Sequence, residues 1–506
     1  MKKHLKLLLI DLLAVALGAL LTLAFAPFEI FPFAIISMAG LLMLLSNISP
    51  KRARWRGFLF GLGLFGTGVY WVFISIHLYG DVPSSMAVLI TAALIAVLAL
   101  FPAYACYLTN RYFRAQTTAK LIFAFPAIWL LITEWMRSWI FGGFPWLLIG
   151  YSQTNSPLIG YAPLLSVYGV SLTVLLSAGL VVNGMNQLTH QKYKNAYLNL
   201  FALFTIWIAG VLLNLIPWTH ATGNPIPVSL VQGNIPQALK WSPEHTQLSF
   251  DRYEQLTEPL WGKSKIIIWP EAALPMPLQN AEDFIAKMDD KARASKSTLI
   301  LGIPIHDEAA KGYYNAVITV GEDSGVYTKR RLVPFGEYVP FQQISARFFD
   351  FMKIPISNLI PGSPSQKPLQ VDHINIITAI CFEVAFPDLM QYNDSTAGIL
   401  LTVTNDAWFG KSTAQAQHLQ MAAMRSIELG RPSLFVSNNG ITAIINAQGK
   451  IQSMAPRYQI AVLNGMVQPY EGLTPWMKTG IDPILAILIM MLVAAALMSR
   501  QPNNKK

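Results

Sequence analysis

Apolar residues follow two different patterns along this chain. Toward both ends they form unbroken runs of about 20 residues, the length that carries a helix across the hydrocarbon core of a bilayer. Eight such runs are read, at 5–26, 31–48, 57–76, 86–108, 121–140, 164–182, 198–218 and 481–498. Between the seventh and the eighth the pattern breaks into short β-branched stretches separated by polar turns. Strands are predicted at 227–231, 265–269, 298–303, 316–320, 374–380, 398–404, 433–437 and 442–445, with amphipathic helices at 281–295 and 413–429. Strands alternating with helices over this length predict one layered α/β or α+β domain. The expected organisation is therefore a membrane domain over 1–218, a soluble domain over 219–478, and a last span with its tail over 479–506.

Composition agrees with a membrane protein: of 506 residues, 53% are hydrophobic and only 13% charged. The placement of the charges predicts orientation, because short loops rich in Lys and Arg stay in the cytoplasm. Lys2, Lys3 and Lys6 precede the first run; Lys51, Arg52, Arg54 and Arg56 follow the second; Arg111, Arg114 and Lys120 follow the fourth; Lys192 and Lys194 follow the sixth; Arg500, Lys505 and Lys506 follow the eighth. Both termini are expected inside and the soluble domain outside. The net charge of +10 is then a matter of topology and gives no reason to expect nucleic-acid binding. A signal-peptide reading of the first run, with small residues at Ala24-Phe25-Ala26, is set against its length and the interruption at Asp11.

Cysteine is nearly absent. Cys106 lies inside the fourth run and Cys381 in the soluble segment, so no disulfide framework is expected and an exported domain carries one unpaired thiol. Three predicted strands end on residues able to do chemistry: Ile266-Ile267-Ile268-Trp269-Pro270 delivers Glu271, Val326-Tyr327-Thr328 delivers Lys329, and Ile376-Ile377-Thr378-Ala379-Ile380 delivers Cys381. A thiol needs a base or a local field to become a thiolate. Glu271 is a candidate for that proton, and Lys329 with the backbone N–H after Cys381 is a candidate for holding a tetrahedral oxyanion. The same positions also fit a surface carboxylate, a solvated basic patch with Arg330 and Arg331, and a packed core cysteine. Within the fifth run Glu134 and Arg137 stand at i and i+3, the spacing of an ion pair, and His418 on the helix after Trp408 is read as structural.

Taken together, Trp269-Pro270-Glu271, Tyr327-Thr328-Lys329 and Cys381-Phe382-Glu383 resemble the nitrilase superfamily, whose members use a Glu-Lys-Cys triad. The segment Lys329-Arg330-Arg331-Leu332-Val333-Pro334-Phe335-Gly336-Glu337-Tyr338-Val339-Pro340, with Asn405-Asp406-Ala407-Trp408-Phe409-Gly410 and Val231-Gln232-Gly233-Asn234-Ile235-Pro236-Gln237, is similar to the apolipoprotein N-acyltransferase family. Gly68-Val69-Tyr70-Trp71-Val72 and Gly143-Phe144-Pro145-Trp146 extend that resemblance into the membrane segments.

The resemblance implies an αββα sandwich beside about eight transmembrane helices, in the inner membrane with a periplasmic catalytic domain. It implies transfer of an acyl chain from a phospholipid, commonly phosphatidylethanolamine, through a Cys381 thioester to the N-terminal α-amine of a diacylated lipoprotein. It needs no cofactor or metal. By position Glu271 is the implied base, Lys329 the oxyanion partner and Cys381 the nucleophile; Glu337 orients Lys329 or moves protons, and Glu383 supports the turn. Phe382 stands where relatives often carry Tyr, which leaves its backbone N–H in place. Trp241, Trp408 and Phe409 are the expected walls of a lipid site at the membrane surface. The rival expectations are a membrane-tethered nitrilase-type amidohydrolase, in which water takes the thioester, and a transporter with an appended binding domain.

Overall fold

The computed structural model describes residues 2–334, 336–338, 358–391 and 394–500. The chain divides into two compact units: residues 1–73, 84–217 and 479–506 form one, and residues 74–83 and 218–478 the other.

In the first unit, six helices among the described residues are long and apolar enough to cross a membrane: His4–Thr22, Ser84–Tyr112, Ala119–Ser138, Pro157–Thr189, Tyr193–Asn214 and Asp482–Arg500. The run expected at 57–76 is broken where the helix Pro50–Gly68 ends and another begins at Trp71, and the pair counts as a seventh span if taken as one. The run expected at 31–48 forms only the 13-residue helix Pro32–Leu44.

That helix stops early because other helices take over its last carbonyls. Arg56 donates to Leu44 O, Gln116 to Leu42 O, Asn110 to the oxygens of Leu45 and Ile48, and the ammonium of Lys120 to Leu45 O at 2.8 Å. Carbonyls left by a helix end need partners wherever water is absent, and cations there also meet the negative end of the helix dipole. Two of the basic residues read as loop charges, Arg56 and Lys120, are thus buried in this cap.

Glu134 and Arg137 do not pair as their spacing predicts. After Arg137 the backbone leaves the helix through left-handed Phe141, Gly142 and Gly143 and returns, presenting carbonyls to the guanidinium. Arg137 donates to the oxygens of Thr133, Phe144 and Trp146, whereas Glu134 Oε1 accepts the N–H of Ile149 at 3.1 Å. Each side chain bonds backbone groups instead of the other's charge.

The second unit is a sandwich of two sheets. Its strands are β1 (Ile226–Gln232), β2 (Ile266–Ile268), β3 (Thr298–Asp307), β4 (Gly312–Val320), β5 (Gly325–Thr328), β6 (Leu369–Val371), β7 (Ile374–Ile380), β8 (Ala397–Thr404), β9 (Ser433–Ser437), β10 (Ala443–Ile445), β11 (Ile451–Met454) and β12 (Ala461–Val467). One six-stranded sheet has the order β12-β1-β2-β3-β4-β5, the other β11-β10-β9-β8-β7-β6. In each, three adjacent strands run parallel, β1 to β3 and β7 to β9, flanked by antiparallel strands. Strands buried on both faces read as continuous apolar runs, which is why Ile266-Ile267-Ile268 shows no alternation.

Alternate residues of both sheets meet in one core, with Leu230, Ile266, Ile268, Ile300 and Val317 against Ile376, Ile380, Ile399, Leu401 and Leu434. On the outer face of the first sheet, Ile267, Trp269, Leu299 and Leu301 pack under Phe250, Tyr253, Phe284 and Met288 of the helices Thr246–Thr257 and Glu282–Ser295. The helix Ala414–Leu429 lies along β9. The layer order is αββα, and the carboxyl ends of β2 and β7 and the end of β5 carry the three candidate residues.

Replacing Lys120 with Met removes one donor to Leu45 O while keeping the stem's volume. Destabilisation of about 1–3 kcal/mol is expected from the lost charged bond, read as a lower melting temperature in detergent micelles. Replacing the exposed Lys51 in the same way serves as the control, and equal melting of the two variants would refute the cap.

Candidate active site

Cys381 sits where β7 becomes the short 3-10 turn Cys381–Ala385, with φ at +54°, a left-handed conformation unusual for a side chain with a Cβ. Such strain persists only when neighbours over-determine it. The fully buried carboxylate of Glu383 does much of this: Oε2 accepts the N–H of Ile380 at 2.8 Å and the hydroxyl of Tyr327 at 2.9 Å, and Oε1 accepts the N–H groups of Arg330 and Arg331 at 2.7 and 3.0 Å. One carboxylate therefore joins the turn at the end of β7 to the residues that follow Lys329 at the end of β5. Burial still pushes the Glu383 carboxyl above the usual range, against the lowering by those backbone donors and Lys329.

Glu271 follows β2 and is 7% exposed. Its carboxylate is held from both sides: Oε1 accepts the side-chain amide of Asn315 at 2.7 Å, and Oε2 accepts the backbone N–H of Asn405 at 2.8 Å. Gly302 on β3 makes room for this approach, since a Cβ there would lie 2.5 Å from Pro270 O and 2.8 Å from Glu271 Cα. The ammonium of Lys240, itself buried, donates to Glu271 O at 3.1 Å. Gln237, on the same helical turn, accepts the side-chain amide of Asn405 at 2.7 Å. Trp241, next in the chain, is 53% exposed.

Lys329 is 1% exposed, with Nζ 2.7 Å from Glu337 Oε1 and 3.5 Å from Glu271 Oε1. Glu337 is itself fixed, because its Oε2 accepts the N–H of Val333 at 2.8 Å. Asn315 ties the pair together, its amide on Glu271 and its carbonyl accepting the Lys329 N–H at 2.8 Å. Burial alone disfavours an ammonium, but Glu337, Glu271 and Cys381 together raise its proton affinity above the ordinary lysine value. Lys329 is consequently charged at neutral pH.

The thiol moves in the same direction for a different reason. Burial first, and then the negative charge of Glu271, push Cys381 well above the ordinary thiol value, with Lys329 and the nearby Thr404 hydroxyl only partly opposing. The sulfur is thus protonated at neutral pH. Glu271, Lys329 and Cys381, ends of three separate strands, do come together. Phe382 packs edge-on against Phe386 at 5.0 Å.

Trp408 is 39% exposed, its ring 5.7 Å from that of Tyr79 and its carbonyl bonded by the Ser75 hydroxyl at 2.8 Å. Phe409 is half-buried, with its ring edge-on to His418. Of the segment 329–340, Phe335, Val339 and Pro340 lie outside the described residues. Among the described residues, no group of three or more His, Cys, Asp or Glu is arranged to hold a metal ion. Sequence reasoning missed Asn315, Lys240 and the partnership of Asp406 with His418. Only Asn405 and Asp406, already in a quoted motif, carried a signal.

Two facing sheets with a carboxylate, an ammonium and a thiol gathered at their strand ends are the architecture of a carbon–nitrogen hydrolase, and residues 228–471 match the carbon-nitrogen hydrolase family. Residues 17–180 match the apolipoprotein N-acyltransferase N-terminal domain. Proteins named apolipoprotein N-acyltransferase align over nearly the whole chain. That of Coxiella burnetii is 40% identical over 96% of this chain and 99% of its own. Those of Azotobacter vinelandii and Pseudomonas putida are 40% and 39% identical over 97% of this chain and 95% and 96% of theirs. The chain belongs to the apolipoprotein N-acyltransferase family, and its apolar helices are those of a multi-pass membrane protein.

A raised thiol value predicts that alkylation of Cys381 by iodoacetamide keeps accelerating above pH 9; a plateau near neutrality would show a preformed thiolate instead. Lys240 gives a second test. Burial, against the pull of Glu271, lowers its value to about 8, compared with about 10.4 in an unfolded chain. Between those values the unfolded chain binds more protons, so this lysine opposes folding most below pH 8 and less as pH rises. Wild type is expected to gain stability relative to Lys240→Met as pH rises from 8 to 10, while turnover of the variant falls because Glu271 O loses its donor. A gap independent of pH between 7 and 10 would count against the buried ammonium.

Proposed function

We propose that this enzyme moves an acyl chain from a phospholipid, commonly phosphatidylethanolamine, to the N-terminal α-amine of an S-diacylglyceryl cysteine in a lipoprotein, in two half-reactions through Cys381. The observation that carries the reading is the charged Lys329, 3.5 Å from the carboxylate of Glu271, in the same strand-end cluster as a thiol that is protonated at rest. A neutral thiol beside an ionised carboxylate has its proton acceptor in place, and an ammonium beside both can receive the negative charge that the reaction creates.

In the first half-reaction the Cys381 proton passes to Glu271 as sulfur attacks the ester carbonyl. The tetrahedral oxyanion is held by Lys329 and the N–H of Phe382. Collapse breaks the C–O bond, and the departing lysophospholipid alkoxide takes the proton from Glu271. In the second, the amine attacks the thioester carbonyl and Glu271 accepts its proton. Collapse then breaks the C–S bond, and Cys381 regains a proton from Glu271. Glu337 keeps Lys329 oriented and charged, and Glu383 maintains the turn that presents the sulfur.

Each methylene drawn from lipid into water costs about 0.8 kcal/mol, so a whole acyl chain cannot be lifted free for catalysis. The exposed Trp241 and Trp408 and the half-buried Phe409 are suited to shield it at the membrane surface. With the basic loops inside, both termini face the cytoplasm and the sandwich lies in the periplasm of a cell with an inner membrane.

Purified protein in mixed micelles with labelled phospholipid should yield an acyl group on the Cys381 peptide by mass spectrometry, discharged on adding a diacylated lipopeptide. Cys381→Ala should form none. Glu271→Gln should acylate on the order of 10²–10⁴ times more slowly. Discharge into water as fast as into lipopeptide would favour a membrane-tethered amidohydrolase, and an acyl group on another residue would sink both.

A further inference from the structure

We propose that His418, held by Asp406, is a positioning residue that latches the Cys381–Phe382 peptide with its N–H turned toward the reacting carbonyl. The inference rests on the acyl-transfer reading above, in which that N–H helps to hold the oxyanion.

His418 is fully buried on the helix Ala414–Leu429. Its Nε2 lies 3.1 Å from the carbonyl oxygen of Cys381, and its Nδ1 3.0 Å from Asp406 Oδ1. A backbone carbonyl can only accept, so Nε2 carries a hydrogen. Asp406 Oδ1 also accepts the hydroxyl of Thr404 at 2.8 Å. A neutral imidazole with its hydrogen on Nδ1 would face the Cys381 carbonyl with a lone pair. The ring cannot turn away, because the edges of Phe409 and Phe435 meet it at 5.9 and 5.2 Å, both near perpendicular.

The consequence lies across one peptide plane. A trans peptide is rigid, with C=O and N–H antiparallel, so a carbonyl pinned toward His418 sends the Phe382 N–H the opposite way. Left-handed Cys381 places this peptide at a turn, where rotation of the plane would swing that N–H away from the site, and a latch opposes it. A charged or strongly polar donor on the carbonyl also polarises the amide and strengthens its N–H as a donor. Asp406 and His418 are both fully buried, so they act through this peptide.

Two substitutions separate the latch from general structural support. The amide nitrogen of Gln reaches where Nε2 lies, and that of Asn only where Nδ1 lies. Two rates on Cys381 are compared: single-turnover acylation by phospholipid, which passes through an oxyanion, and alkylation by chloroacetamide, which does not. His418→Asn is expected to slow acylation about 10–100-fold, short of the full loss of an oxyanion donor, with alkylation within about twofold of wild type. His418→Gln is expected to recover most of the acylation rate. Asp406→Ala, which leaves the imidazole without the carboxylate that orients it, should lower the ratio of acylation to alkylation as His418→Asn does and stands in for it should that variant fail to fold. Unchanged acylation in both His418→Asn and Asp406→Ala, an equal fall in acylation and alkylation, or equal loss in the Asn and Gln variants of His418 would each overturn the latch. Failure of wild-type enzyme to acylate Cys381 at all would instead overturn the acyl-transfer reading.

Discussion

Lys329 carries an ammonium into a place where an unpaired charge would be unfavourable by several kcal/mol. Everything around it is arranged to keep that charge. Glu337 lies eight positions along the chain from it, and Glu271 comes from the end of a different strand in the same sheet. Asn315 bonds both Glu271 and Lys329, and Glu383 reaches from the second sheet to the backbone just after Lys329. The two sheets must therefore meet face to face with their strand ends in register. The core between them, where Ile266 and Ile268 meet Ile376 and Ile380, is what sets the chemistry's geometry.

The same rule, that no buried polar group goes unmatched, organises the parts of the molecule without chemistry. In the first unit Lys120, Asn110, Gln116 and Arg56 cap a helix that ends inside the helical bundle, and Arg137 fills a loop of carbonyls. In the second, fully buried Arg431 donates to the carbonyls of Ala397, Leu429, Gly430, Ser395 and Gly472. Arginine with its fork of donors suits such irregular backbone better than any neutral side chain. These cations hold backbone, whereas Lys329 is held by carboxylates, and the difference separates a structural charge from a candidate for chemistry.

How far the sequence revealed this depended on whether a signal was local. A continuous apolar run followed by one polar residue shows a strand end, so Glu271, Lys329 and Cys381 could be picked out, and the strand 374–380 and helix 413–429 needed at most a residue of adjustment. Strand β6 has three residues and β12 is half-exposed with Asn464 and Gly465 within it, so neither offers a hydrophobic pattern. Hydropathy at 31–48 says nothing of where a helix ends when side chains from elsewhere take its carbonyls. The spacing of Glu134 and Arg137 assumed a helix that continues, but the chain turns back. Asn315 sits inside a strand and His418 on a helix, and their partners lie 44 and 12 positions away, beyond any spacing rule.

On the proposed acyl-transfer reading, the protonated thiol and charged lysine also bear on how one site could serve two half-reactions. A preformed thiolate beside Glu271 would place two negative charges together, with Lys329 left to offset both. A neutral thiol lets Glu271 begin each half-reaction as a carboxylate and return to that state at its end. In that proposal the thioester left after the first half-reaction is uncharged and Glu271 is again ready to accept a proton. An α-amine, with a value of about 7.7–8.0 in water, then presents the proton that this carboxylate needs. Water presents one too, so the triad cannot choose between them. In the proposal that choice falls to the approach to the site, where the exposed Trp241 and Trp408 offer apolar surface to an acyl chain.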